Sequence, residues 1–128
     1  MTKYGKIIIP YGVNPEPHEL ETAKFFNKLG KDVTFIAPVY EKGAKTPDIR
    51  MDGLLWEIKA PKGNSSRTIE NNLRAALRQS ANLIIDLRRT KLSEQKAISQ
   101  INREFKLRKN IVKLIIIKKN QKLLDIKR

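Results

Sequence analysis

Apolar residues along the chain fall into short solid blocks and helical stripes, and the two alternate. The segment Lys6 to Pro10 encloses Ile7-Ile8-Ile9, enough for one short buried strand. Tyr11 to Pro17 interrupts the pattern with Pro15 and Pro17. A helix opens at Pro17 or His18 and runs to Leu29, where Gly30 stops it. Val33 to Ala37 predicts a second strand, and Pro38 to Thr46 a loop. Asp48 to Met51 and Leu54 to Ala60 predict two strands joined by Asp52-Gly53, a dipeptide suited to the positive φ angles of a type I′ hairpin turn. Ser65 or Ser66 is positioned to cap a helix from Arg67 to Ser80. Asn82 to Leu87 predicts a buried strand, and Ser93 caps a helix ending near Leu107. Val112 to Ile117 and Lys122 to Ile126 predict the last two strands, with Asn120-Gln121 as the turn between them. No repeat, low-complexity tract or linker interrupts the series. Alternating strands and helices predict an α/β fold, a mixed central sheet flanked by helices, as a single domain over residues 1–128.

Composition narrows the function. The chain has 128 residues, 40% hydrophobic and 31% charged, which supports one core and excludes a disordered chain. It has no cysteine, which excludes disulfides, thiol catalysis and thiolate metal sites. Its longest aliphatic runs are strand-sized, far below a membrane span, and the N-terminus lacks the apolar stretch of a secretory signal. A cytoplasmic location is therefore expected. Twenty-seven Lys and Arg against thirteen Asp and Glu leave a net charge of +14. Such a field concentrates polyanions, and nucleic acid is the expected partner. A merely basic binding protein is the alternative.

The hairpin carries the chemistry. A two-residue turn at Asp52-Gly53 sets Met51 opposite Leu54, Arg50 opposite Leu55, Ile49 opposite Trp56 and Asp48 opposite Glu57. Opposed residues share a face with Cβ atoms ~4.5–5.5 Å apart, so the two carboxylates repel unless a cation joins them. The strand period of two adds Lys59 to that face and sends Trp56 and Ile58 to the other, as core. Hard oxygen donors suit Mg²⁺ or Mn²⁺.

The first two helices supply further candidates. At ~100° per residue, Ala23, Phe26 and Leu29 cluster around Glu19, which puts this acid on the core-facing stripe, whereas Glu21 lies with Lys24 and Lys28 on the wet side. Glu19 also fits a first-turn acid complementing the helix dipole. His18, the only histidine, reads as an N-terminal helix residue. Ile69, Leu73, Ala76, Leu77 and Ser80 form the inward face of the next helix. Thr68, Asn72, Ala75 and Gln79 line its edge, where Gln79 is placed to orient a lysine or reach a substrate. Arg67, Arg74 and Arg78 form an outer row able to track phosphates or to remain a hydrated face.

Pro47-Asp48, eight residues, then Glu57-Ile58-Lys59 resembles the PD-(D/E)xK signature of restriction-endonuclease-like nucleases. The wider series is similar to the C-terminal tRNA nuclease domain of contact-dependent growth inhibition (CdiA) toxins, over roughly Ile7 to Ile126. It comprises Pro17-His18-Glu19 opening a helix, Gly30 before Val33-Thr34-Phe35-Ile36, Trp56-Glu57-Ile58-Lys59, Thr68-Ile69 with Leu73, Gln79-Ser80 and Leu83-Ile84-Ile85-Asp86. The resemblance implies a restriction-endonuclease-like core and a metal-dependent endonuclease, with tRNA as first-choice substrate and DNA as the alternative. It implies Mg²⁺ or Mn²⁺ held by Glu19, Asp48, Glu57 and the carbonyl of Ile58. Lys59 would orient the attacking water or stabilise transition-state charge. Gln79, with Thr68, would position that lysine or the phosphate, and Arg67, Arg74, Arg78, Arg88 and Arg89 would hold the nucleic-acid backbone. A toxin role would add an acidic immunity protein as a partner.

Overall fold

The computed structural model describes residues 3–127. Seven strands and three helices follow the predicted series: β1 (Ile7–Ile8), α1 (Pro17–Lys28), β2 (Val33–Phe35), β3 (Ile49–Met51), β4 (Leu54–Lys59), α2 (Thr68–Leu77), β5 (Asn82–Asp86), α3 (Glu94–Leu107), β6 (Lys113–Ile117) and β7 (Leu123–Ile126). The strands form one sheet in chain order, β1 to β7. The β1–β2, β4–β5 and β5–β6 pairs are parallel, each joined through a helix, and the other pairs are antiparallel. Parallel neighbours need such a crossover, whereas β3 and β4 need only a turn.

The sheet splits the core into two layers because side chains alternate along each strand. On one face Ala23, Phe26, Val33, Phe35, Ile49, Met51, Trp56, Ile58 and Ile84 pack with α1. On the other, Ile69, Leu73 and Ala76 of α2 and Ala97, Ile101 and Phe105 of α3 cover Leu83, Ile85, Leu114 and Ile116. The inward face predicted for α2 is the one buried, with Leu77 packed at its border. Ser80 is also buried, and its hydroxyl donates to the Leu55 carbonyl at 3.1 Å.

The helix ends show one agreement and one correction. Ser93 caps α3, its side chain accepting the Lys96 N–H at 3.2 Å. Neither Ser65 nor Ser66 caps α2. Arg67 occupies that position without a side-chain cap, and the Ser65 hydroxyl accepts the Arg67 N–H in a local turn one step earlier. A serine two residues before a backbone N–H closes such a turn as readily as it caps a helix.

Candidate active site

The β3–β4 hairpin turns as predicted, with φ at 54° for Asp52 and 75° for Gly53. Both angles are positive, as a type I′ turn requires, and glycine meets this without the Cβ penalty. The register pairs Met51 with Leu54, Arg50 with Leu55 and Ile49 with Trp56. Asp48 ends the ladder. Its N–H donates to the Trp56 carbonyl at 3.0 Å and its carbonyl accepts from the Ile36 N–H at 3.0 Å. Asp48 Oδ2 accepts the Ile58 N–H at 2.8 Å, so a side chain completes the strand end. Glu57 and Lys59 register with Leu83 and Ile85, while Ile58 registers with Ile84 on the face packed against α1. Trp56 is buried on that second face, and its indole N–H donates to the Met51 carbonyl at 3.0 Å.

The two acids are thus brought together in a place that disfavours their charges. Glu57 is only 6% exposed. Its Oε1 is buried and accepts from no N–H or hydroxyl, Oε2 lies 3.7 Å from Lys59 Nζ, and the Asp48 carboxyl is within hydrogen-bonding reach of the group. Burial first, and then the negative charge of Glu57, push the Asp48 carboxyl up to about 8, although the Ile58 N–H opposes the shift. Burial pushes Glu57 up to about 7 against the pull of the Lys59 ammonium. The pair holds about one proton at neutral pH, chiefly on Asp48, because ionising both in this place is costly.

Glu19 stands at the same cavity, half-buried, and its charge adds to the upward shift of both acids. It has a second task. Glu16 and Glu19 form a capping box at the start of α1, in which Glu19 Oε1 accepts the Glu16 N–H at 2.9 Å. In that arrangement, no three acidic, histidine or cysteine side chains among the described residues are grouped so as to hold a metal ion. The donors that fit a hard cation are Asp48 and Glu57, two carboxyls close enough for one to hydrogen-bond to the other. The N–H and C=O of a strand residue point to the same side, so Ile58, whose N–H meets Asp48, turns its carbonyl the same way.

The cavity is about 690 Å³, and its wall includes Glu19, Asp48, Glu57, Lys59 and Gln79. Every residue named from the sequence as catalytic therefore borders one space. The predicted edge stripe of α2 divides. Ala75 and Gln79 reach the cavity, whereas Thr68 lies at the opposite end of the helix, against Gly63. Thr68 cannot position Lys59 together with Gln79. Gln79 Oε1 accepts the Thr46 N–H at 2.9 Å, which ties α2 to the chain just before Pro47-Asp48. No sequence pattern announced that link.

The five arginines have different surroundings. Arg78 is exposed and lines the cavity. Arg67 and Arg74 both pair with Glu70, at 2.8 and 3.7 Å, outside the cavity wall. Arg89 is anchored through Nε to the Ala60 carbonyl at 2.7 Å, and its charge helps lower the pKa of half-buried His18, after burial itself. Arg88 is a correction to the expected phosphate row. Its Nε and Nη2 bind Asp86 Oδ2 at 3.2 and 2.8 Å, Nη2 also reaches the Glu21 carbonyl at 3.1 Å, and the guanidinium lies 5.2 Å from the Phe25 ring centroid. A guanidinium held in this way fastens β5 to α1, leaving little of it for a phosphate.

No helix among the described residues is long and apolar enough to cross a membrane. No curated protein matches the chain in sequence. In fold, it is similar to a chain of the "CdiA-CT/CdiI toxin and immunity complex from Burkholderia pseudomallei", with 21% identity and a TM-score of 0.71 over 97% of this chain and 100% of that one. That likeness supports the α/β architecture. A family model described as "Contact-dependent growth inhibition CdiA C-terminal domain" matches residues 45–123, well over half of the chain and the whole stretch from Pro47-Asp48 through Lys59 and Gln79 to β6. The hairpin, the acid pair and the helix that borders them all lie inside that match, and the chain belongs to the CdiA C-terminal domain family.

Proposed function

We propose that this chain is a metal-dependent endonuclease that hydrolyses phosphodiester bonds in nucleic acid, on a restriction-endonuclease-like core, and serves as a toxin domain. The observation that carries this reading is the acid pair. Asp48 and Glu57 share a poorly solvated cavity wall beside Lys59, in a chain of net charge +14. Carboxyls with raised proton affinity in a cleft are characteristic of sites that bind a cation or move a proton.

Asp48 and Glu57, with the Ile58 carbonyl, would hold Mg²⁺ or Mn²⁺, and Glu19 would join them by releasing the Glu16 N–H. Such an ion polarises a phosphoryl oxygen and makes a bound water more acidic. Lys59 presents its ammonium to the charge that builds on the phosphoryl oxygens. Gln79 holds Thr46, and so the approach of the chain to Asp48, in place. Of the five arginines, Arg78 on the cavity wall would be the first to hold a backbone phosphate, without reading bases. Arg89, in the neighbouring hollow beside His18, would serve only a longer strand.

tRNA is the first substrate to test on grounds of family, with DNA the alternative. The rival reading is a non-catalytic basic nucleic-acid-binding protein. It draws on the structural role of Glu19 in the capping box but leaves two carboxyls crowded in a poorly solvated wall without a reason. The related fold described together with its immunity protein supports a protein partner here, and the charge of this chain favours an acidic one.

The test is incubation of the purified protein with total tRNA, single-stranded RNA and duplex DNA, each with Mg²⁺ and with EDTA. Cleavage of tRNA with Mg²⁺ and none with EDTA is the expected result. Binding of all three without cleavage under Mg²⁺ or Mn²⁺ would leave only the rival.

A further inference from the structure

The rim of the cavity carries two aromatic rings that the fold does not use. Tyr11 and Tyr40 are 105% and 92% exposed. Tyr11 sits in the turn after β1, closed by the Val13 N–H donating to the Pro10 carbonyl at 3.1 Å, and the adjoining Gly12 and Val13 line the cavity. Tyr40 lines it directly, on the loop between β2 and β3. That loop is held from both directions. The Val39 N–H donates to Thr46 Oγ1 at 3.2 Å, and Thr46 is in turn held by Gln79. The remaining tyrosine, Tyr4, is also exposed but precedes β1, at the other end of that strand from Tyr11.

We propose that Tyr11 and Tyr40 are stacking platforms for unpaired bases, so that the cavity takes single-stranded nucleotides, such as those of a loop, in preference to duplex. This inference rests on the nuclease reading and names its substrate class. Neither ring gains burial within the chain; Tyr40 lines the wall that presents Lys59 and Arg78, and Tyr11 directly precedes Gly12 and Val13 of that wall. Exposed Lys42 and Lys45 add positive charge to the loop of Tyr40. Cations for the phosphates with aromatic faces beside them make the combination that binds single strands. In a duplex the base faces are already stacked on one another, so a rim of tyrosines offers them little. Phosphate contacts alone would treat the two forms more evenly.

Fluorescence anisotropy of a labelled RNA oligonucleotide, single-stranded and as duplex, in EDTA at fixed salt, tests this without cleavage. The wild-type protein should bind the single strand more tightly. Tyr11→Ala and Tyr40→Ala should each weaken single-strand binding about 5- to 100-fold. Tyr11→Phe and Tyr40→Phe should retain it, since the ring face remains, and Tyr4→Ala should match wild type. All of these side chains are exposed, so thermal melting should be unchanged. Alanine variants that bind the single strand like wild type overturn the proposal and leave the tyrosines to a protein partner. So does an equal loss on single strand and duplex. Failure of the nuclease reading is separate: the wild type would bind the oligonucleotide with tyrosine dependence yet leave it uncut when Mg²⁺ is added.

Discussion

Lys59→Ala is expected to lower the rate of Mg²⁺-dependent cleavage by about 10²- to 10³-fold, the usual loss when one donor to developing charge is removed. Asp48→Asn should reduce cleavage at least as far, and what separates the two variants is stability. Lys59 is the cation nearest Glu57, at 3.7 Å, so its removal leaves a buried carboxyl with less support and the metal-free fold somewhat weaker. An asparagine in place of Asp48 would keep an oxygen for the Ile58 N–H while discarding a charge that the site disfavours. The Asp48 carboxyl rises from 3.8 to about 8 on folding. A raised value means that the folded state binds the proton more tightly. The stability this provides is complete below about pH 4 and is lost as pH rises toward 8. At pH 8 without metal, Asp48→Asn should therefore stabilise the protein by about 1–2 kcal/mol while abolishing activity, the pattern of a residue kept for function at a cost in stability. Urea unfolding of both variants at pH 5 and pH 8 checks this. A destabilised Asp48→Asn at pH 8 would make the aspartate a structural residue.

Asp86→Ala is expected to give the largest loss of stability, about 3 kcal/mol, with a fall in Tm of roughly 10 °C. Asp86 is 4% exposed and gathers three elements of the structure. Its Oδ2 accepts the Thr22 hydroxyl of α1 at 2.8 Å, and its Oδ1 accepts the Arg88 N–H at 3.1 Å. The Arg88 guanidinium closes the pair at 2.8 Å. Burial alone would raise the Asp86 carboxyl, but the hydrogen bonds from Arg88 and Thr22 outweigh it and hold the group below its usual value. Its contribution is therefore present above the ordinary carboxylate range and lost as pH falls through the lowered value. Removing it leaves Arg88 half-buried without its anion, which costs more than losing the pair entire. The double variant Asp86→Ala/Arg88→Ala should recover part of the loss in chemical denaturation. Strictly additive losses would show that the two side chains do not act as a unit.

The parts legible in the sequence are those whose cause is local. Asp52-Gly53 sets the turn and the turn sets the register, which pairs Ile49 with Trp56 and stops one residue short of the expected Asp48–Glu57 pair. Asp48 reaches β4 through its side chain instead, at the Ile58 N–H. Strand periodicity likewise separates Trp56 from the acids. The role of Glu19 is half legible. Its helical angle brings it toward the cavity, but the reciprocal bond with Glu16 depends on Glu16 being the cap, which a proline-rich entry disguises. Arg88 follows β5 in a turn, its N–H folding back to Asp86 Oδ1, and an aspartate two residues before an arginine is the available signal for the pair that occupies its guanidinium. The tie between Gln79 and Thr46 spans 33 positions and arises only from the packing of α2 beside the hairpin. The rim positions of Tyr11 and Tyr40 likewise depend on which loops the sheet brings to one end.

Titration calorimetry of Mn²⁺ into the metal-free protein at pH 7, repeated in two buffers of different ionisation enthalpy, tests the acid pair most directly. The proposed site binds the ion and releases about one proton as it does so, because carboxyls at about 8 and about 7 must ionise to become ligands. Asp48→Asn should lose both the heat and the proton. Absence of Mn²⁺ binding, or binding that Asp48→Asn leaves intact, would contradict the assignment of Asp48 and Glu57 as the seat of the metal.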